Sequence, residues 1–124
     1  MNKKDIKHYL KYYSQIVRAT ETGKEYITIS GRRTSQKLKL PEWTKKLNEY
    51  VQIILTSETD PIVKRLIQYS IIAGKSDREV LVRLPISEGS YYRLKRMFVE
   101  RIYELYIYDG FLSREEILKE SISE

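Results

Sequence analysis

Pro85 stops any regular helix that reaches it. Its ring removes a backbone donor and disfavours helical geometry at the residue before it, Leu84. On both sides of it, apolar residues recur at helical spacing. Val80, Leu81 and Leu84 precede it, and Tyr91, Leu94, Phe98, Ile102 and Leu105 follow at steps of three or four. A short helix, a turn and a longer helix satisfy both constraints. Serines mark the two starts. Ser76 with Glu79 has the S-x-x-E form of a capping box, and Ser87 can cap the second helix by accepting from its first backbone N–H groups. The first helix is expected over 76–84. The second is expected over 87–108, with Asp109-Gly110 as its stop.

The rest of the chain reads as further helices around this pair. Ile6, Tyr9, Leu10, Tyr13, Ile16 and Val17 mark one amphipathic helix, roughly 3–19. Thr20 to Gly23 ends it. KEYITIS and QKLKL alternate around GRRTS, so residues 25–40 fit a β-hairpin or a basic loop equally well. Pro41 suits the first position of a helix over about 41–56, carrying Trp43, Leu47, Tyr50, Val51, Ile54 and Leu55. Asp60 and Pro61 open the next helix, and Gly74 is placed to close it. Ser113 to Glu116 repeats the capping-box pattern before a short tail helix over Ile117 and Leu118. The expected fold is mainly α, a helical domain with a C-terminal helix-turn-helix. Its segments are 1–40 (helix plus basic hairpin or loop), 41–110 (helix-turn-helix unit) and 111–124 (short acidic tail).

Composition narrows the function. The formal charge is +6 over 124 residues, which favours a polyanionic partner, nucleic acid before membrane. Residues 111–124 hold two cations against four anions, so the tail is not expected to lie on nucleic acid. With no cysteine, neither a disulfide framework nor a thiolate zinc site can form. His8 is the only histidine; it reads as an ordinary surface or interface residue, and no metal or cofactor is expected. No signal peptide opens the chain, no apolar run reaches a membrane span, and a cytoplasmic location is expected. No Ser-His-Asp spacing or phosphate-cradling glycine loop is present, so the chain is not expected to be an enzyme.

In a helix-turn-helix the first helix braces the second, whose leading turns enter the major groove of double-stranded DNA. Three demands follow, and the sequence meets them. Val80, Leu84, Ile86, Tyr91 and Leu94 take the inward positions. Ser87, Glu88, Gly89 and Ser90 form a lead turn, small apart from Glu88, whose N–H groups suit a phosphate oxygen. Tyr92, Arg93 and Arg96 project outward, with Lys95 near the edge. Arg93 and Arg96 can bind guanine bidentately or pair with phosphate, and Glu88 can accept from the cytosine amino group. Lys95 adds a phosphate contact, as do Arg32 and Arg33 if the basic segment acts as an arm. Against the repressor-type pattern, Leu81 stands where a small residue is usual and Pro85 where the turn has glycine. Outside this stretch, Trp43 reads as a core anchor, and Tyr9, Tyr12 and Tyr13 as half-buried rings. Tyr103, Tyr106 and Tyr108 read as packing against the first helix in preference to a dimer seam.

KSDREVLVRLPISEGSYYRLKRMFVERI resembles the C-terminal domain of the phage-encoded ArpU/RinA family of transcriptional regulators, which is similar to region 4 of bacterial sigma factors. The likeness lies in the preceding apolar helix IVKRLIQYSIIAG, the S-D-x-E opening, and Ser87, Ser90, Tyr91, Tyr92, Arg93, Leu94, Lys95 and Arg96 in the pattern S-x-x-S/T-[FY]-Y-R-[LI]-K-R. It covers roughly residues 41–109. The turn departs from the family, with RLPIS where a polar residue or glycine is common. The resemblance implies activation of late genes, such as packaging or lysis genes, in the cytoplasm of a Gram-positive host. One reading helix is too little for tight specificity, so a homodimer or the host RNA polymerase is an expected partner. The competing expectation is a protein–protein assembly module, either a polymerase adaptor or a component like a small terminase subunit. A general nucleic-acid chaperone is a third, and it would show no sequence preference.

Overall fold

A computed structural model describes residues 1–31 and 33–123. The fold is mainly helical, with one small antiparallel sheet. Its N-terminal part is two helices, α1 (Lys3–Leu10) and α2 (Tyr13–Glu21), where the apolar spacing predicts one. At Lys11 and Tyr12 the backbone N–H groups bond three residues back, to His8 and Tyr9, and Tyr12 leaves helical geometry. No proline or glycine lies there. The break has tertiary contacts on both sides: Tyr9 packs edge-on against Trp43, while the Tyr13 hydroxyl reaches Asn48. Ile6, Leu10, Tyr13 and Ile16 still share one buried face.

The 25–40 segment forms a hairpin of β1 (Tyr26–Ser30) and β2 (Ser35–Lys39), paired from Tyr26↔Lys39 to Ser30↔Ser35. Two strands alone are marginal in water. These are anchored because the cross-strand pair Ile27 and Leu38 packs on the main core. After Pro41 the chain makes a 3₁₀ turn (Glu42–Lys46) before α3 (Leu47–Ser57). The expected helix from 41 therefore begins tighter and later. Thr44 holds the tight form, with both its N–H and its hydroxyl donating to the Pro41 carbonyl.

Asp60 caps α4 (Pro61–Leu66) by accepting from the Ile62 N–H at 2.9 Å, with Pro61 in the first turn. The helix then widens into a π-helical stretch, Ile67–Ile72. Here the core divides. Leu66 points into a small cluster with Val80, Leu84 and Tyr91. Ile67 and Ile71 point into the main cluster, which runs from Ile6 to Leu112. Gly74 closes the segment at φ +65, where a side chain would strain the backbone. Next come α5 (Asp77–Arg83), α6 (Glu88–Tyr108) and the tail helix α7 (Arg114–Ser123). The 21 residues of α6 span roughly 30 Å and join both clusters: Tyr91 lies in the small one, and Phe98, Ile102, Tyr103 and Tyr106 in the main one. The three sequence segments thus share a core.

Among the packing expectations, Trp43 sits between the Tyr9 and Tyr106 rings. Tyr103 and Tyr106 are buried, in line with packing, whereas Tyr108 is exposed. The Arg101 guanidinium donates to Glu58 at 2.7 Å and ties the α3–α4 connection to α6. Among the described residues no helix is long and apolar enough to cross a membrane.

Candidate nucleic-acid interface

The helix pair forms where its punctuation directs it. The Ser76 hydroxyl accepts from the Glu79 N–H at 3.3 Å and starts α5. Leu84, ahead of Pro85, turns extended at φ −102, ψ 135 and ends it. The Ser87 hydroxyl accepts from the Ser90 N–H at 3.2 Å and starts α6. Val80, Leu84 and Tyr91 are buried with Leu66, and Leu81, Ile86 and Leu94 close over them. All five residues expected to face inward do so. Leu81 is accommodated at the edge of this cluster, where a small residue is not needed.

The outward face follows from the same geometry. At about 100° per residue, Glu88, Gly89, Tyr92, Arg93 and Arg96 fall within an arc of roughly 140°, opposite Tyr91 and Phe98. All five are exposed. Tyr92 is 44 % exposed and leans edge-on against Tyr91, with ring centroids 5.1 Å apart. One side of the ring is thus held while the rest faces solvent. Ser87 is exposed and Ser90 half-buried, so the lead turn is open on its outer side.

Lys95 behaves differently from the other cations. It lies about 20° beyond the arc's edge, toward Tyr91, and its ammonium donates to Asp77 Oδ1 at 2.7 Å, where the Tyr91 hydroxyl also donates at 2.7 Å. Burial opposes the charge on Asp77, but the hydrogen bonds from Lys95 and Tyr91 outweigh it and hold the carboxyl below its ordinary value. Burial, with Asp77 as neighbour, pushes the Tyr91 phenol up. The triad locks α5 to α6, and Lys95 serves that lock.

The basic arm is not brought to this face. Arg32 lies outside the described residues. Arg33 is exposed at the hairpin tip. The hairpin is rooted on α2, and the Lys39 carbonyl accepts from the Tyr9 hydroxyl at 2.8 Å. Tyr9 leads through Trp43 to Tyr106, sixteen residues and roughly 24 Å along α6 from Ser90. Two residues of α5 join the face instead. Exposed Arg78 and Val82, the latter 83 % exposed, line a shallow hollow with Leu81, Glu88 and Tyr92. Only the meeting of α5 with the start of α6 reveals them, although the exposed phase of α5 could have marked both. An arginine beside Glu88 offsets the one acid on the arc. No family model, curated protein or solved structure matches this chain.

Proposed function

We propose that this chain is a sequence-specific DNA-binding transcriptional regulator that lays the first turns of α6 in the major groove. The observation that carries the reading is the exposed arc of Glu88, Gly89, Tyr92, Arg93 and Arg96 on a helix braced from behind. Arg93 and Arg96 read guanine, Glu88 reads cytosine, and the Ser87–Ser90 turn contacts phosphate. Gly89 adds support. An added Cβ there would meet nothing within 4 Å, so packing does not require glycine, whereas close approach of a phosphate would. The resemblance to ArpU/RinA regulators favours a phage or prophage late-gene activator, working with the host polymerase or as a homodimer.

A second reading, a protein–protein assembly module, is favoured by apolar side chains elsewhere. Tyr108, Leu118 and Ile122 are exposed on late α6 and on α7. A salt series separates the two. DNA binding through six or more phosphates weakens by about a thousandfold or more between 50 and 200 mM salt, and an apolar interface does not. Arg93→Ala is expected to cost about 1–3 kcal/mol on the preferred duplex and to relax preference at one base position. Binding insensitive to salt, or unchanged preference in Arg93→Ala, contradicts the reading.

A further inference from the structure

Beside the reading face lies a groove of about 860 Å³ between α1, the α4–α5 connection and α6. Its floor is apolar and includes Leu10, Ile71 and Phe98. Seven cations and two acids line it. Of the acids, Asp77 is paired with Lys95, accepts from the Tyr91 hydroxyl and also feels the charge of Lys7, which leaves Glu100 against the remaining bases. Lys4 and Lys7 on α1 and Lys11, which caps its C-terminal end, form one stripe; all three are exposed, and none is in an ion pair with another described residue. Lys75 stands on the opposite rim, its ammonium 3.9 Å from Glu79. Tyr92 and Arg96 line the groove and also belong to the reading arc, so the two surfaces are continuous.

We propose that the Lys4–Lys7–Lys11 stripe is a second polyanion contact that holds the DNA backbone flanking the bases read by α6. The inference rests on the DNA-binding reading above and gives the N-terminal helix a task in it. From Lys4 to Lys11 the stripe runs about 10 Å along the helix, which matches three base-pair rises of roughly 3.4 Å. Lysine suits the task, since a flexible point charge follows a phosphate track without demanding one geometry. The stripe also supplies the sequence-independent contact that Arg33, on a hairpin rooted by the far end of α6, is not positioned to give. Tyr9, which carries the hairpin, lies about 200° around α1 from Lys7.

The test compares the whole wild-type chain with Lys4→Gln/Lys7→Gln/Lys11→Gln and with the corresponding triple Arg variant. Each is titrated with a preferred duplex and a scrambled duplex of equal length over a salt series. Circular dichroism melting verifies that the exposed substitutions leave the fold intact. The Gln variant is expected to lose affinity for both duplexes by the same factor. Its slope of log affinity against log salt should fall by about 2 to 3, near 0.9 for each phosphate that is no longer neutralised. Sequence preference should be kept, and the Arg variant should restore the slope. A wild-type slope in the Gln variant overturns the stripe while leaving the reading face standing. A wild-type protein that binds neither duplex sinks the reading itself, and the stripe with it. Self-association of the wild type that the Gln variant abolishes assigns the groove to a second copy and also overturns the proposal.

Discussion

Three tyrosines carry much of the interior at the residue scale. Tyr50, Tyr91 and Tyr106 are at most 1 % exposed, and each hydroxyl has a partner: Asp109, Asp77 and the Trp43 carbonyl, respectively. Tyrosine fits these positions because its ring fills a core while its hydroxyl finds an acceptor at the core's edge. Burial raises the pKa of all three above the ordinary value, reinforced at Tyr50 by Asp109 and at Tyr91 by Asp77. The sign of the linkage follows. Because the folded values are raised, their contribution is complete below the unfolded value near 10 and is lost as pH rises beyond it. In that range the unfolded chain ionises and the folded chain does not. Stability should therefore fall above about pH 10, by at most about 1.4 kcal/mol per pH unit for each ring. Urea denaturation at rising pH measures this, with tyrosinate absorbance followed in parallel. Stability flat from about pH 10 to 12, where the linkage requires a fall, contradicts the packing of these rings.

Along α6, the residues that build the helix are distinct from those proposed to read bases. Ser87 starts α6, Tyr91 and Leu94 fasten it, and Gly110 ends it in the left-handed region, where the Phe111 N–H returns to the Tyr106 carbonyl at 3.0 Å. Gly89 serves none of these tasks. Gly89→Ala is accordingly expected to stabilise the fold by up to about 1 kcal/mol through helix propensity, and to weaken DNA binding. Melting and duplex titration on one sample check both halves. A variant that binds as tightly as wild type removes Gly89 from the interface. The positions of these elements are legible in the sequence because capping serines, Pro61, Pro85 and the closing glycines act locally. The break at Lys11–Tyr12, the 3₁₀ turn after Pro41 and the π-helical stretch are not. The break at Lys11–Tyr12 is flanked by contacts with distant residues, Tyr9 with Trp43 and Tyr13 with Asn48. The turn after Pro41 is held by the Thr44 hydroxyl, and average propensity carries no trace of either.

Over the whole molecule, α6 is a lever with one end in the main core and the other in the small cluster of Leu66, Val80, Leu84 and Tyr91. α5 fastens the first turns of α6 through Asp77, which accepts from Tyr91 and Lys95. This arrangement also explains which site residues can be found from sequence. The exposed arc repeats along a single helix, so its period marks Glu88, Tyr92, Arg93 and Arg96. Lys95 reads as a phosphate contact in the sequence because its partner lies eighteen residues away on another helix. Arg78, Lys4, Lys7 and Lys11 are not singled out by the sequence, since only the assembled fold brings them beside α6. The central claim is that the face carrying Tyr92, Arg93 and Arg96 reads bases. The most direct test is selection of bound duplexes from a random DNA pool at physiological salt. An enriched motif is expected, holding guanine at positions that lose their preference in Arg93→Ala and Arg96→Ala. Recovery of a pool no different from the input contradicts the claim.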